Sequence, residues 1–208
     1  MYMIYCGNKY KKNVSMMINI FWGREIVEEM LRVLKEKDVR TTFFIVGEWG
    51  VDNKDMLKQI LKDGHELGNH GWSHKDHDKI SYDENYEEIK KCHDMIKEST
   101  GYEMYLFAPP SGAFNQDTLD AAESLGYKAI MWSVYKDTID WRDKEEILAY
   151  ERATKNLLGG DMILMHPQEH TLKALPRIID EIRNKGFIPT TVTETIADVY
   201  FVKVIEKK

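Results

Sequence analysis

Residues 41–74 read TTFFIVGEWGVDNKDMLKQILKDGHELGNHGWSH. The β-rich run 41–46 predicts a strand. Residues 52–62 turn Met56, Ile60 and Leu61 inward and predict a helix. Residues 65–68 predict a third, weak strand, and His70 and His74 follow it. A His-x3-His spacing sets two imidazoles on one side of a turn or helix, where both can reach one metal ion. The stretch therefore reads strand, helix, strand, with polar chemistry at the strand's end, where α/β proteins keep it.

The same alternation extends outward in both directions. Residues 14–20 predict a first strand, and Ile26, Met30, Val33 and Leu34 mark one apolar face of the helix after it. Residues 83–99 predict a charged amphipathic helix, with Tyr86, Ile89, Cys92, His93 and Ile96 near one face. Strands are expected at 104–107, 129–132, 162–165 and 188–192. Helices are expected near 116–125, 143–157 and 171–184. Gly126, Gly159-Gly160 and Gly186 stand where helices should stop. Repeated alternation implies a parallel sheet with right-handed crossovers. About seven units in this length can close into a distorted (β/α) TIM-like barrel; a doubly wound open sheet is the competing arrangement.

The 208 residues fit one domain, 1–208, with no linker or repeat to divide it. A formal net charge of −6 argues against non-specific nucleic-acid binding, because phosphates need a basic face. No apolar run is long enough to span a bilayer, and the first twelve residues lack the apolar core of a signal peptide. Cys6 and Cys92 are far apart and read as two free thiols.

The polar residues of interest gather at the C-terminal ends of predicted strands. Asn19 ends the first and His70 and His74 follow the third. Pro109-Pro110-Ser111-Gly112 follows the fourth, Asp137, Asp140 and Trp141 follow the fifth, and His166 ends the sixth. In a barrel these ends share one mouth.

In this order the motifs resemble the polysaccharide deacetylases, the NodB-homology or family 4 carbohydrate esterases, from about Ile4 to Val199. Residues 39–47 look like the family's second strand, and 64–74 like its histidine motif, whose two histidines hold a divalent metal. Residues 107–115 look like the Arg-Pro-Pro-Tyr-Gly wall of the groove. Asp137-Thr138-Ile139-Asp140-Trp141 resembles Asp-x-x-Asp-Trp, and Leu164-Met165-His166 resembles the Leu-x-His motif of the general acid. The resemblance implies a distorted barrel of about seven strands. It also implies hydrolysis of N-acetyl groups on a peptidoglycan or chitin-like glycan, assisted by a divalent metal, most simply zinc. His166 and Asp137 would be catalytic, and His70 and His74 metal ligands. Trp22, Trp72, Pro110, Gly112 and Trp141 would line the substrate groove. Family members usually act outside the membrane.

The chain departs from the pattern where the chemistry is hardest to replace. The family's first motif, Thr-Phe-Asp-Asp-Gly, supplies the base and a third ligand. Counting back without gaps from Thr42-Phe43-Phe44 sets Asn19 at the base and Ile20 at the ligand. Asn accepts no proton near neutral pH, and Ile binds no metal. Ala108 stands for the arginine and Ser111 for the aromatic of the third motif, and Tyr135 and Lys136 are extra. The stretch Asn19-Ile20-Phe21-Trp22-Gly23 is similar to that of a sporulation-associated branch. Two readings stay open: a metal-dependent deacetylase, and a catalytically silent glycan-binding protein. A third is a different amide hydrolase. Asp76 or His77 could add a ligand, although His77 reads more simply as a surface residue. Asp137 and Asp140 would orient His166 or cap their loop. His65 and His93 read as structural and His170 as exposed. Oligomeric state and compartment are left open.

Overall fold

The computed structural model describes residues 1–197. The strands are β1 (Asn13–Ile20), β2 (Thr42–Ile45), β3 (Glu66–Asn69), β4 (Leu106–Phe107), β5 (Lys128–Ala129), β6 (Met162–Met165) and β7 (Ile188–Thr190). The helices between and after them are α1 (Arg24–Glu36), α2 (Gly47–Asp52), α3 (Lys54–Lys62), α4 (Tyr82–Thr100), α5 (Gln116–Ser124), α6 (Glu146–Thr154), α7 (Glu169–Asn184) and α8 (Val192–Ile196). The strands form one curled, open parallel sheet in the order β5-β4-β3-β2-β1-β6, with β7 also paired to β1. This half-barrel is the distorted barrel expected. The last residues of the resemblance, 198–199, and the domain's end at 208 lie outside the described residues.

β1 holds the sheet together. Every residue from Val14 to Ile20 is buried, as befits a parallel strand covered on both faces. The two-residue period then divides its side chains between two cores. Met16, Ile18 and Ile20 join the helix layer, with Met30 and Leu34 of α1 and Ile178 of α7. Met17 faces the concave side, with Phe44, Leu106, Ile130 and Met162, where α8 adds Val192 and Ile196. The open edge is bridged by hydrogen bonds from coil. Ile4 pairs with Ile130, Ser133 N–H donates to the Met162 carbonyl (2.9 Å), and Asp137 pairs with Leu164.

Several boundaries differ from expectation for local reasons. The helix expected at 52–62 is preceded by another, and Asn53 breaks them apart, donating to the Trp49 carbonyl at 2.7 Å. The strand expected at 188–192 stops at Thr190, because the Thr191 side chain caps α8 by accepting from Glu194 N–H. That short helix was not foreseen. Strands expected at 104–107 and 129–132 shrink to two residues each. On α1 the buried stripe is Val27, Met30, Leu31 and Leu34, with Ile26 and Val33 at its margin. Among the described residues no helix is long and apolar enough to cross a membrane.

Candidate functional site

Parallel register brings the strand ends level. Asn19 pairs with Phe44, Ile45 with Asn69, and Ile18 with Met165. A pocket of about 380 Å³ opens at this end. Asn19, His70, His74, His166, Asp137 and Trp22 all line it, as do Gly112 and Trp141. Ser111, Trp132 and Leu164 complete its walls. Residues up to 147 positions apart in the chain thus converge as the strand-end argument requires.

His70 is buried at the end of β3, and its Nδ1 meets the Ala108 carbonyl at 2.7 Å. A carbonyl only accepts, so Nδ1 carries the proton and Nε2 is left as an acceptor. Burial, with His74 close by, pushes this imidazole well below its ordinary range. His74 sits in a left-handed turn (φ 58°), with its ring 5.2 Å from that of His70. Its imidazole is also lowered by burial. The loop bearing His74 is clamped from α4: Glu88 accepts from Trp72 N–H (3.0 Å), Ser73 N–H (2.8 Å) and Ser73 Oγ (2.8 Å). Nothing in the sequence marked Glu88, a charged residue on a charged helix.

Asp140, rather than Asp137, orients His166. Its Oδ1 lies 2.7 Å from His166 Nδ1, and its Oδ2 accepts from His166 N–H (2.8 Å) and Thr171 Oγ1 (2.6 Å). Burial raises the Asp140 carboxyl, but these bonds, led by that from His166, bring it below its ordinary value. Asp137 caps its own loop, accepting from Ile139 N–H at 2.8 Å, and burial holds its carboxyl above the ordinary value.

The gap-free count through the first motif is corrected by the structure. Ile20 is fully buried in the helix-layer core and does not stand in the site. The turn glycine is Gly23, in a left-handed conformation (φ 79°) at the start of α1. A Cβ there would come within 2.9 Å of the Pro167 carbonyl oxygen. Aligning the motif's Asp-Asp-Gly on Gly23 puts Phe21 and Trp22 at the carboxylate positions. Both rings lie against the histidines: Phe21 stacks on His74 at 4.7 Å and 16°, and Trp22 on His166 at 5.9 Å and 8°. Asn19 remains in the pocket wall, 4% exposed, with an Oδ1 that accepts no hydrogen bond.

Trp72 and Pro110 are placed away from the pocket lining. Trp72 packs over Gly47 and under Lys91, whose Nζ is 3.9 Å from the ring centre. Pro110 is buried at the start of a 3-10 turn, and Ser111 after it takes a left-handed conformation (φ 56°). Gly112 has no room for a side chain: a Cβ would sit 2.7 Å from the Trp132 ring. Trp132 is a wall residue that reading the strand as core concealed. His77 is not a surface residue. It is fully buried, with Nδ1 2.5 Å from Asn85 Oδ1, where it braces the loop. His170 is likewise buried, with Nε2 2.9 Å from the Asp140 carbonyl. Asp76 bonds Lys79 at 2.6 Å and supplies no ligand to the pair.

A catalytic zinc needs three protein ligands and an open position. Among the described residues no group of three His, Cys, Asp or Glu side chains is placed to hold an ion. With Phe21 laid on His74, the residues present do not fit the family's metal.

The fold and the mouth together define a NodB-type half-barrel that keeps its histidines and lacks the two carboxylates of the first motif. The family model for polysaccharide deacetylase matches residues 7–130. The chain belongs to the polysaccharide deacetylase family. It is 38% identical to the uncharacterised protein YlxY of Bacillus subtilis, over 96% of this chain and 62% of that one. It therefore spans under two thirds of that relative. A peptidoglycan-N-acetylglucosamine deacetylase of Bacillus cereus is 29% identical over 81% of this chain and 80% of its own length. Among solved structures it is similar to BA3943, a CE4 family pseudoenzyme from Bacillus anthracis (TM-score 0.89, 34% identity, 93% of this chain and 68% of that one). A mutant of BA3943 with restored enzymatic activity matches equally well (TM-score 0.89, 33% identity, 93% and 71%).

Proposed function

We propose that this chain is a catalytically silent, glycan-binding member of its family. The observation that carries this reading is the pair of ring stacks, Phe21 on His74 and Trp22 on His166. Amide hydrolysis by this family's route needs a base for the water and a cation for the oxyanion. Phenyl and indole rings supply neither, and Ala108 carries no charge to support a base. His166 keeps its Asp140 partner, but an acid without a base completes no cycle.

What persists is a concave pocket with indole faces and a few polar groups, the make-up of a small-ligand site. Indole faces suit the C–H faces of sugar rings. The peptidoglycan deacetylases among its relatives favour an N-acetyl-sugar glycan, of the peptidoglycan or chitin-like kind, as the ligand class. Such a glycan places the working site in an extracytoplasmic or wall-associated setting.

Calorimetric titration with chito-oligomers and soluble peptidoglycan fragments, paired with an acetate assay in added zinc or cobalt, tests this reading. Binding without acetate release is expected. Acetate release that His74→Ala abolishes would return the protein to the metal-dependent deacetylases.

A further inference from the structure

This inference rests on the glycan-binding reading and shifts the preferred sugar from the N-acetylated to the free-amine form. Among the described residues the pocket lining contains one carboxylate, Asp137, and no lysine or arginine. The cations nearest in sequence make their hydrogen bonds elsewhere, although Arg142 is near enough to feel the Asp137 charge. Lys136 turns to Asp161 (3.7 Å) and the Lys155 carbonyl, and Arg142 bonds Asp143 at 2.8 and 3.0 Å. Asp137 accepts from the Ile139 backbone in its own turn (2.8 Å) and from the Trp141 side chain, and among the described residues no lysine or arginine forms an ion pair with it. The Trp22, Trp132 and Trp141 indoles share the pocket with it. Two further groups in the lining hold an acceptor without a donor. Asn19 Oδ1 accepts nothing, and His70 has its proton on Nδ1, leaving Nε2 as an acceptor. The lining is rich in acceptors and π faces and poor in charged donors.

We propose that the pocket selects amino sugars whose nitrogen is already free of acetate, holding the ammonium between the Asp137 carboxylate and the indoles of Trp22, Trp132 and Trp141. A carboxylate beside aromatic faces is the chemistry that recognises an alkylammonium. An N-acetyl group brings a neutral nitrogen and a carbonyl acceptor to a wall with no cation to receive it. The protein would then read the state of a glycan that deacetylation leaves behind, so a hydrolase acting on N-acetyl groups must come before it.

The test is calorimetric titration with glucosamine tetramer and N-acetylglucosamine tetramer, near neutral pH and at low salt, on the parent chain and Asp137→Asn. The glucosamine tetramer is expected to bind about tenfold tighter, roughly 1.4 kcal/mol. That advantage should shrink as salt screens the charge. Asp137→Asn keeps an acceptor for Ile139 N–H, and its melting curve checks that the loop stays folded. In that variant the two oligomers should converge to within about twofold, through loss of glucosamine affinity alone. Equal or tighter binding of the N-acetylated tetramer, or a preference that survives Asp137→Asn, overturns the inference while leaving the glycan reading intact. Failure of both tetramers to bind overturns both.

Discussion

At the residue scale the decisive fact is which side chains stand before Gly23. By alignment on Gly23, Phe21 and Trp22 take the carboxylate positions; both rings stack on histidines, and Ile20 is core. Aspartate at 21 and 22 together should therefore yield stoichiometric zinc uptake by calorimetry, because carboxylates would join His70 and His74. Ile20→Asp should yield none and should cost at least about 3 kcal/mol in urea unfolding, since it buries an unpaired charge. Zinc uptake by Ile20→Asp would restore the gap-free count. His65 offers a second residue-scale outcome. Burial lowers its imidazole from 6.5 to about 4, and its Nδ1 accepts from Thr41 N–H at 3.2 Å. It stays neutral in the fold and takes a proton more readily when unfolded. Stability from this site is thus full above pH 6.5 and lost as pH falls toward about 4. The whole effect is on the order of 3 kcal/mol. His65→Gln should flatten that limb of the stability–pH curve, measured by urea midpoints. The histidine pair is legible from its spacing, and His166 from its place at a strand end and from the family resemblance. His77 and His170 were not, because burial depends on what folds over a residue and not on its neighbours in the chain.

At the element scale, α4 fixes the loop that presents His74. Its start is legible: Ser81 and Glu84 make a capping box at the N-terminus. Its role is not, since Glu88 acts through space on Trp72 and Ser73. Glu88→Ala leaves two backbone donors without their acceptor and should cost about 1–3 kcal/mol. Amide hydrogen exchange should accelerate across 71–77 first. Uniform loss of protection, with that loop no faster than the rest, would remove α4 as its clamp. Strand ends were less legible than helices for the same reason. Thr191 and Ile130 have the composition of strand residues, and only a cap in one case and a single bridge to Ile4 in the other stop the ladder.

At the scale of the whole molecule, β1 belongs to both cores, so neither should unfold without the other. Urea unfolding is expected to be one transition by near-ultraviolet dichroism and by tryptophan fluorescence. Met17→Ala, on the concave side, should cost about 2–5 kcal/mol and shift both probes together. Two separated midpoints would contradict this shared-strand account. The sequence alone determined the class of fold and the location of the site. Hydrophobic periodicity and the order of polar residues at strand ends are local properties, and they specify a parallel α/β sheet with histidines at its strand ends; the family resemblance, not periodicity, implied the distorted barrel over a doubly wound sheet. Only the tertiary structure decided what those histidines face. The stack of Phe21 on His74 and of Trp22 on His166, and the pairing of Asp140 with His166, each join residues far apart in the chain. Such contacts depend on the register and curl of the sheet, which no local pattern of residues encodes.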